Sequence, residues 1–203
     1  MGVKERKERE RVDMKELILN SAHQLFVDKG FDEVSIRNIA EAIEYSPATI
    51  YLYFKDKNEI FYALHGEAFK IFNQYMADVF TIKDPFKRLI AMGEKYIEFT
   101  FKYPKYYTIM FIAEAPMQCD QSSEGWIEGG RALESLENIV AECIKVGSLK
   151  KQSVKAMAFT IWSYMHGMCS LALRDRMKHY TEKEREGMIE NSFKIFIQLI
   201  RSA

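Results

Sequence analysis

Apolar residues recur every three or four positions along most of this chain, and nowhere does the alternation of a β-strand persist. The periodicity predicts a helix from Asp13, with Leu17, Ile18, Ala22, Leu25 and Phe26 on one face. Lys29-Gly30 closes it, because glycine readily takes the left-handed conformation past a helix end, and Phe31 tucks back. Ser35 is the next N-cap, followed by the stripe Ile36, Ile39, Ala40 and Ile43. Ser46-Pro47 restarts the helix, serine capping and proline sitting where its missing N–H costs nothing. Ile50 and Phe54 point inward from that segment. Asp56 and Glu59 have capping-box spacing, so a new helix begins there and runs to about residue 80, roughly 36 Å.

Further along, Asp84-Pro85 opens a helix whose face is Phe86, Leu89, Ile90, Gly93, Ile97 and Phe101. Tyr103-Pro104 breaks it and starts another, PKYYTIMFIAEA, which Pro116 ends. Residues 116–125 read as a loop, and a helix bearing Leu133, Leu136, Val140, Cys143 and Ile144 then reaches Gly147. Two last helices span about 153–175 and 182–201, the second capped by Thr181 and Glu184. The expected fold is all-α with about nine helices. An N-terminal three-helix helix-turn-helix domain, residues 1–57, is joined by a long helix to a larger C-terminal bundle, residues 58–203.

Composition alters this picture little. Among 203 residues, 48% are hydrophobic and 29% charged, an ordinary balance for a globular protein. No run approaches the ~18 apolar residues of a membrane span. The N-terminus lacks the apolar centre of a secretory signal, so a cytoplasmic protein is expected. Cys119, Cys143 and Cys169 are odd in number and form no CxxC pair, which suits free buried thiols. The formal net charge is zero, and the first 57 residues hold ten Lys or Arg against eleven Asp or Glu. Bulk attraction to a polyanion is therefore absent, and any such contact must come from local placement. Residues 1–12 alternate Lys or Arg with Glu and read as a solvated arm, frayed or adding helical turns. The alternative is a basic arm near phosphates, using Lys4, Arg6, Lys7, Arg9 and Arg11.

Residues 35–57, SIRNIAEAIEYSPATIYLYFKDK, thus form two short helices around a tight turn, followed by the entry to a long helix. Together with ILNSAHQLFVDKGFDEVSIRNIAEAI before it, the segment SPATIYLYFKDKNEIF resembles the DNA-binding domain of TetR-type transcriptional regulators. The resemblance covers residues from about 13 to 60. It rests on a glycine-aromatic helix end, a Ser-capped helix containing Ile-Ala, and Ser-x-x-x-aliphatic-Tyr-x-(His/Tyr)-Phe-x-x-Lys. More loosely, PKYYTIMF and Trp162-x-x-x-His166-Gly167 are similar to one branch of that family's effector domains. The turn departs from the pattern: Glu44 and Tyr45 replace the usual glycine and small aliphatic, and Ala48 stands where glycine is frequent.

The resemblance implies that the second short helix enters the major groove, where base edges carry the sequence code. By position, Ser46, Pro47, Ala48 and Thr49 approach bases and backbone, Thr49 offering both a hydroxyl and a methyl that suits thymine. Tyr51 and Tyr53 reach phosphates or stack beside the groove, with packing in the unit as the alternative for Tyr51. Ser35, Arg37 and Lys57 hold phosphates. The family further implies a homodimer on a near-palindromic double-stranded operator; the amphipathic helices 153–175 and 182–201 are the expected dimer surfaces, with plain core as the alternative for their apolar stripes. The family also implies a repressor released by a small-molecule effector.

An apolar or aromatic effector is expected from the middle helices. Phe69, Phe72, Phe99, Tyr103, Tyr107, Met110, Phe111, Trp126, Trp162 and His166 are the candidate lining, although such stripes are more often core. No cofactor is expected. The competing readings are a helical-bundle enzyme and a ligand-independent interaction protein. Against the enzyme, no histidine has Glu three residues before it and there is no HExxH.

Overall fold

A computed structural model describes residues 2–113 and 124–201. Its described residues form ten helical segments: α1 (Val3–Lys29), α2 (Ile36–Ala42), α3 (Pro47–Tyr51), α4 (Lys57–Met76), α5 (Pro85–Lys102), α6 (Pro104–Phe111), α7 (Glu124–Lys145), α8 (Val154–Leu173), α9 (Glu182–Arg185) and α10 (Met188–Ile200). No strand occurs among them, only an isolated bridge between Leu149 and Arg201. None of these helices is long and apolar enough to cross a membrane. Cys119 and the 116–123 part of the expected loop lie outside the described residues, as does the side chain of Trp126.

Local chemistry sets most boundaries. Asp84 caps α5, its carboxylate accepting from the Phe86 and Lys87 N–H groups at 2.9 Å each. Ser153 caps α8 through Ala156 N–H, and Thr181 with Glu184 forms the reciprocal box that starts α9. Two elements differ from expectation, and the arm takes one of its expected forms. The arm is helical from Val3 onward. The long helix ends at Met76, and Ala77–Thr81 tightens into a 3-10 turn. The expected helix 182–201 is broken at Gly187, whose φ of 70° is left-handed and cannot continue an α-helix, so α9 is one turn and α10 starts afresh.

Contacts divide the chain into two units. The first is Met1–Lys70 with Lys105–Glu128, and the second Ile71–Pro104 with Gly129–Ala203. In the first unit, Ile18, Ala22 and Phe26 of α1 pack with Ile39, Ala40, Ile50, Phe54, Ile60, Phe61 and Leu64. Phe26, Phe31 and Phe61 meet with ring centroids 5.2–5.9 Å apart. Ile109 of α6, 1% exposed, belongs to this core although it lies 45 residues beyond Leu64. His23 of α1 stacks on Tyr106 of α6 at 4.9 Å.

The second unit is built on α5, α8 and α10. Gly93 lets the Phe193 ring lie directly on α5. Tyr164 of α8 stacks on Phe196 of α10 at 4.0 Å, and its hydroxyl donates to the Ser192 carbonyl at 2.8 Å. Arg88 reaches the Glu142 carboxylate at 3.1 Å. Cys143 and Cys169 are free and buried, and burial pushes both thiols up, Cys169 to about 11.

Candidate nucleic-acid interface

The helix-turn-helix is assembled from caps. Ser35 Oγ accepts from Asn38 N–H at 3.2 Å and donates to Asn38 Oδ1 at 2.7 Å, while Ser35 N–H donates to the same oxygen. Caps of this kind stabilise a helix start by about 1 kcal/mol. At the other end of α2, Tyr45 N–H donates to the Ala40 carbonyl at 2.9 Å and Glu44 N–H to Glu41 at 3.2 Å. This is a Schellman closure, with Glu44 in the left-handed position at φ 59°. Glycine is the usual occupant because it has no Cβ to crowd the carbonyl. A glutamate there costs about 1–2 kcal/mol, so the departure noted in the sequence sits at a strained point.

Ser46 then caps α3: its Oγ accepts from Thr49 N–H at 3.3 Å and lies 3.1 Å from Thr49 Oγ1. Ile50, fully buried, anchors the helix and turns its opposite side outward. Ser46, Pro47 and Ala48 are exposed, Thr49 is half-buried, and Tyr51 is 57% exposed. Arg37 is exposed on α2. Tyr53 is half-buried against the core of the unit.

Leu52, 77% exposed, is the most open large apolar side chain of the chain's described residues, and the sequence reading omitted it. It lies four residues after Ala48, hence on the same helix face. That spacing was the available signal. The projecting surface of α3 is therefore uncharged: Pro47, Ala48, Tyr51 and Leu52.

Lys57 takes a different place from the one expected. Its Nζ donates to the Phe31 carbonyl at 2.7 Å and to Asp32 at 3.4 Å, and stands 4.1 Å from the Phe31 ring centre. The charge is thus engaged in tying α4 to the end of α1. Asp56 caps Glu59 N–H at 2.9 Å, but Glu59 returns to Lys55 N–H instead of to Asp56, so the expected box is displaced by one residue.

The expected effector lining is divided between the two units. In the first, Phe69 meets Phe111 at 5.6 Å and Tyr107 meets Phe111 at 5.2 Å, and Met110 of the same unit is buried. In the second, Phe72, Phe99 and Tyr103 form a ladder at 5.0 and 5.2 Å. Trp162 and His166 lie 6.5 Å apart on α8, and Trp162 also meets Phe159, which is 62% exposed. Burial holds the His166 imidazole below its ordinary value.

A capped helix-turn-helix followed by a helical bundle defines a class, the DNA-binding bacterial regulators. The family model "Tetracyclin repressor-like, C-terminal domain" matches residues 89–193, just over half of the chain, and "Bacterial regulatory proteins, tetR family" matches residues 18–64. The chain belongs to the TetR family of transcriptional regulators.

An uncharacterised helix-turn-helix regulator of Haemophilus influenzae is 29% identical over 86 residues, 42% of this chain and 43% of that one. The chain thus spans under half the length of this curated relative. Among solved structures, AibR in complex with isovaleryl coenzyme A and operator DNA superposes with a TM-score of 0.72 at 18% identity, covering 92% of this chain and 97% of that one. FadR of Bacillus subtilis with stearoyl-CoA gives 0.67 at 19%, covering 79% and 88%. PfmR of Thermus thermophilus gives 0.68 at 19%, covering 90% and 95%. At these identities the likeness is one of fold.

Proposed function

We propose that the protein is a ligand-responsive transcriptional repressor that binds a near-palindromic operator as a homodimer. Residues 1–57 act as the recognition module, and residues 58–203 serve effector binding and dimerisation. The observation that carries this reading is the projecting α3 surface, held out by two capped helix starts and the buried anchor Ile50. Ala48 and Leu52 suit thymine methyls, and Thr49 lies beside them. Arg37 and Ser35 flank the surface for phosphates, and Tyr51 and Tyr53 border it.

One such unit binds weakly, so a second copy is required. Supporting a dimer through α8 and α10, their outer faces carry Phe159, Ile195 and Leu199 at 62, 57 and 76% exposure. Thr160, Ser163 and Gly167 give α8 a line of small residues that admits a close helix neighbour. The effector is a small apolar or aromatic molecule, and Phe72, Phe99 and Tyr103 of the second unit are its proposed lining. The solved relatives bound to isovaleryl and stearoyl coenzyme A make acyl thioesters the first compounds to try. Effector binding favours a spacing of recognition helices that does not fit the operator.

The test is a gel shift with fragments from the source genome. The protein is expected to retard a discrete fragment containing an inverted repeat, and saturating effector to release it. Uniform retardation of all fragments, or none, refutes the reading.

A further inference from the structure

Helix α1 is 27 residues long, yet its fully buried positions begin only at Ile18. Residues 4–13 are all exposed, so about 15 Å of helix stands off the core. Its start is pinned by the Glu5 carboxylate, which accepts from Gly2 N–H at 2.9 Å. Within the core, the inward stripe of α1 is Met14, Ile18, Ala22 and Leu25. Followed back at the same three-and-four spacing, that stripe continues through Arg11, Lys7 and Lys4. The line of side chains facing the helix-turn-helix therefore changes from apolar to cationic where the core ends.

The outer side is different. Arg6 pairs with Glu10 at 3.3 Å, whereas Lys4, Lys7 and Arg11 have no ion pair among the described residues. Glu8 borders the stripe beside Lys4 and Arg11. Like charges three and four residues apart on a helix destabilise it by a few tenths of a kcal/mol per pair, and a polyanion laid along the stripe removes that penalty. The stripe also leaves the core beside the recognition segment. Lys15 holds its ammonium 5.8 Å from the ring centre of Phe54, two residues past Leu52. From Lys15, Arg11, Lys7 and Lys4 follow at about 6, 12 and 16 Å along the axis. Phosphates along one strand of B-DNA rise about 3.4 Å each along the duplex axis, so the roughly 10 Å from Arg11 to Lys4 matches about three such steps.

We infer that the first turns of α1 are a phosphate clamp, in which Lys4, Lys7 and Arg11 grip the DNA backbone flanking the bases approached by α3. This rests on the operator-binding reading above. The clamp explains how a chain of zero net charge can hold a polyanion, by concentrating unpaired cations on one line.

The full-length protein is first used to select a fragment from its genome, and affinity for that fragment is measured by fluorescence anisotropy over a KCl series. Two variants each remove two positive charges from the same turns: K7Q/R11Q on the stripe and R6Q/R9Q on the outer side. Glutamine keeps good helix propensity, so α1 is retained. K7Q/R11Q is expected to flatten the slope of log K against log salt by about 1.8 per protomer, and R6Q/R9Q to leave it within about 0.5 of wild type. The conservative exchange K7R/R11K retains the wild-type slope. Equal effects of the two double variants, or none from K7Q/R11Q, overturn the clamp while operator binding stands. Selection of no fragment by the wild-type protein overturns operator binding and the clamp with it.

Discussion

Gly93 offers a quantitative test of how α10 is seated. A Cβ added there would lie 2.5 Å from Cζ and 2.6 Å from Cε2 of Phe193, against ordinary contacts of 3.4–4 Å. The ring would have to withdraw by about 1 Å, and it is a buried side chain of α10 with Met165 close by. Overpacking of this size costs about 1–3 kcal/mol. Alanine in a helix recovers about 1 kcal/mol over glycine. Gly93→Ala should therefore lose about 0–2 kcal/mol net. Phe193→Leu alone should also destabilise, by leaving space over α5.

Combined, the two changes compensate, because the new methyl fills part of the vacated volume. A coupling energy of at least about 1 kcal/mol is expected. Urea midpoints of the wild type, both single variants and the double variant give the cycle, at one fixed protomer concentration because dimerisation shifts apparent stability. Additivity within about 0.5 kcal/mol, or a Gly93→Ala protein more stable than wild type, refutes the close approach of Phe193 to α5.

Burial holds His23 below its ordinary value near 6.5, and its Nε2 is enclosed with no hydrogen-bond partner among the described residues. The unfolded chain then takes the proton first, so stability is full above about 6.5 and declines as pH falls toward the lowered folded value. His23→Gln should flatten that decline in urea midpoints, leaving only the share of His166, shifted the same way. Lys57→Met removes both carbonyl contacts and should cost about 1–2 kcal/mol, whatever the DNA; unchanged stability with weakened operator binding would restore the phosphate role. Deoxyuridine in place of operator thymine should weaken binding by about 0.8 kcal/mol, roughly fourfold, per methyl met by Ala48 or Leu52; equal affinity sinks that contact. Leu199→Glu should raise the dimer dissociation constant at least about tenfold in sedimentation, about 1.4 kcal/mol, and no change would place the dimer elsewhere.

The sequence was most readable where structure is decided within a few residues. The caps at Ser35, Ser46, Asp84 and Thr181 all stand where polar residues precede apolar periodicity, because a side-chain oxygen satisfying an N–H two or three residues on is a local event. Glycine at 187 is equally local, but the Thr181–Glu184 box places a helix start six residues before it, and the apolar spacing that begins at Met188 reads as the same helix. What could not be read were choices of partner. Periodicity shows that Ile109 is inward, not that it joins the same core as Ile18 and Ile39. It likewise cannot show that the Lys57 ammonium turns to the Phe31 carbonyl, 26 residues back. Among the proposed contacts, Leu52 was missed because leucine in a helix reads as core by default, and only burial of its neighbours Ile50 and Phe54 turns it outward.

Ile109 has a consequence for how the molecule is made. A ribosome that has released only residues 1–70 has delivered α1, α2, α3 and the start of α4, but not the side chain that completes their core. The reading head therefore closes late, after α5 has been synthesised and α6 has followed it. A chimaera cut between residues 57 and 58 separates Ile109 from the α1 and α2 residues whose core it shares. Exchanging this head between regulators requires α6, or a replacement for Ile109, to travel with it.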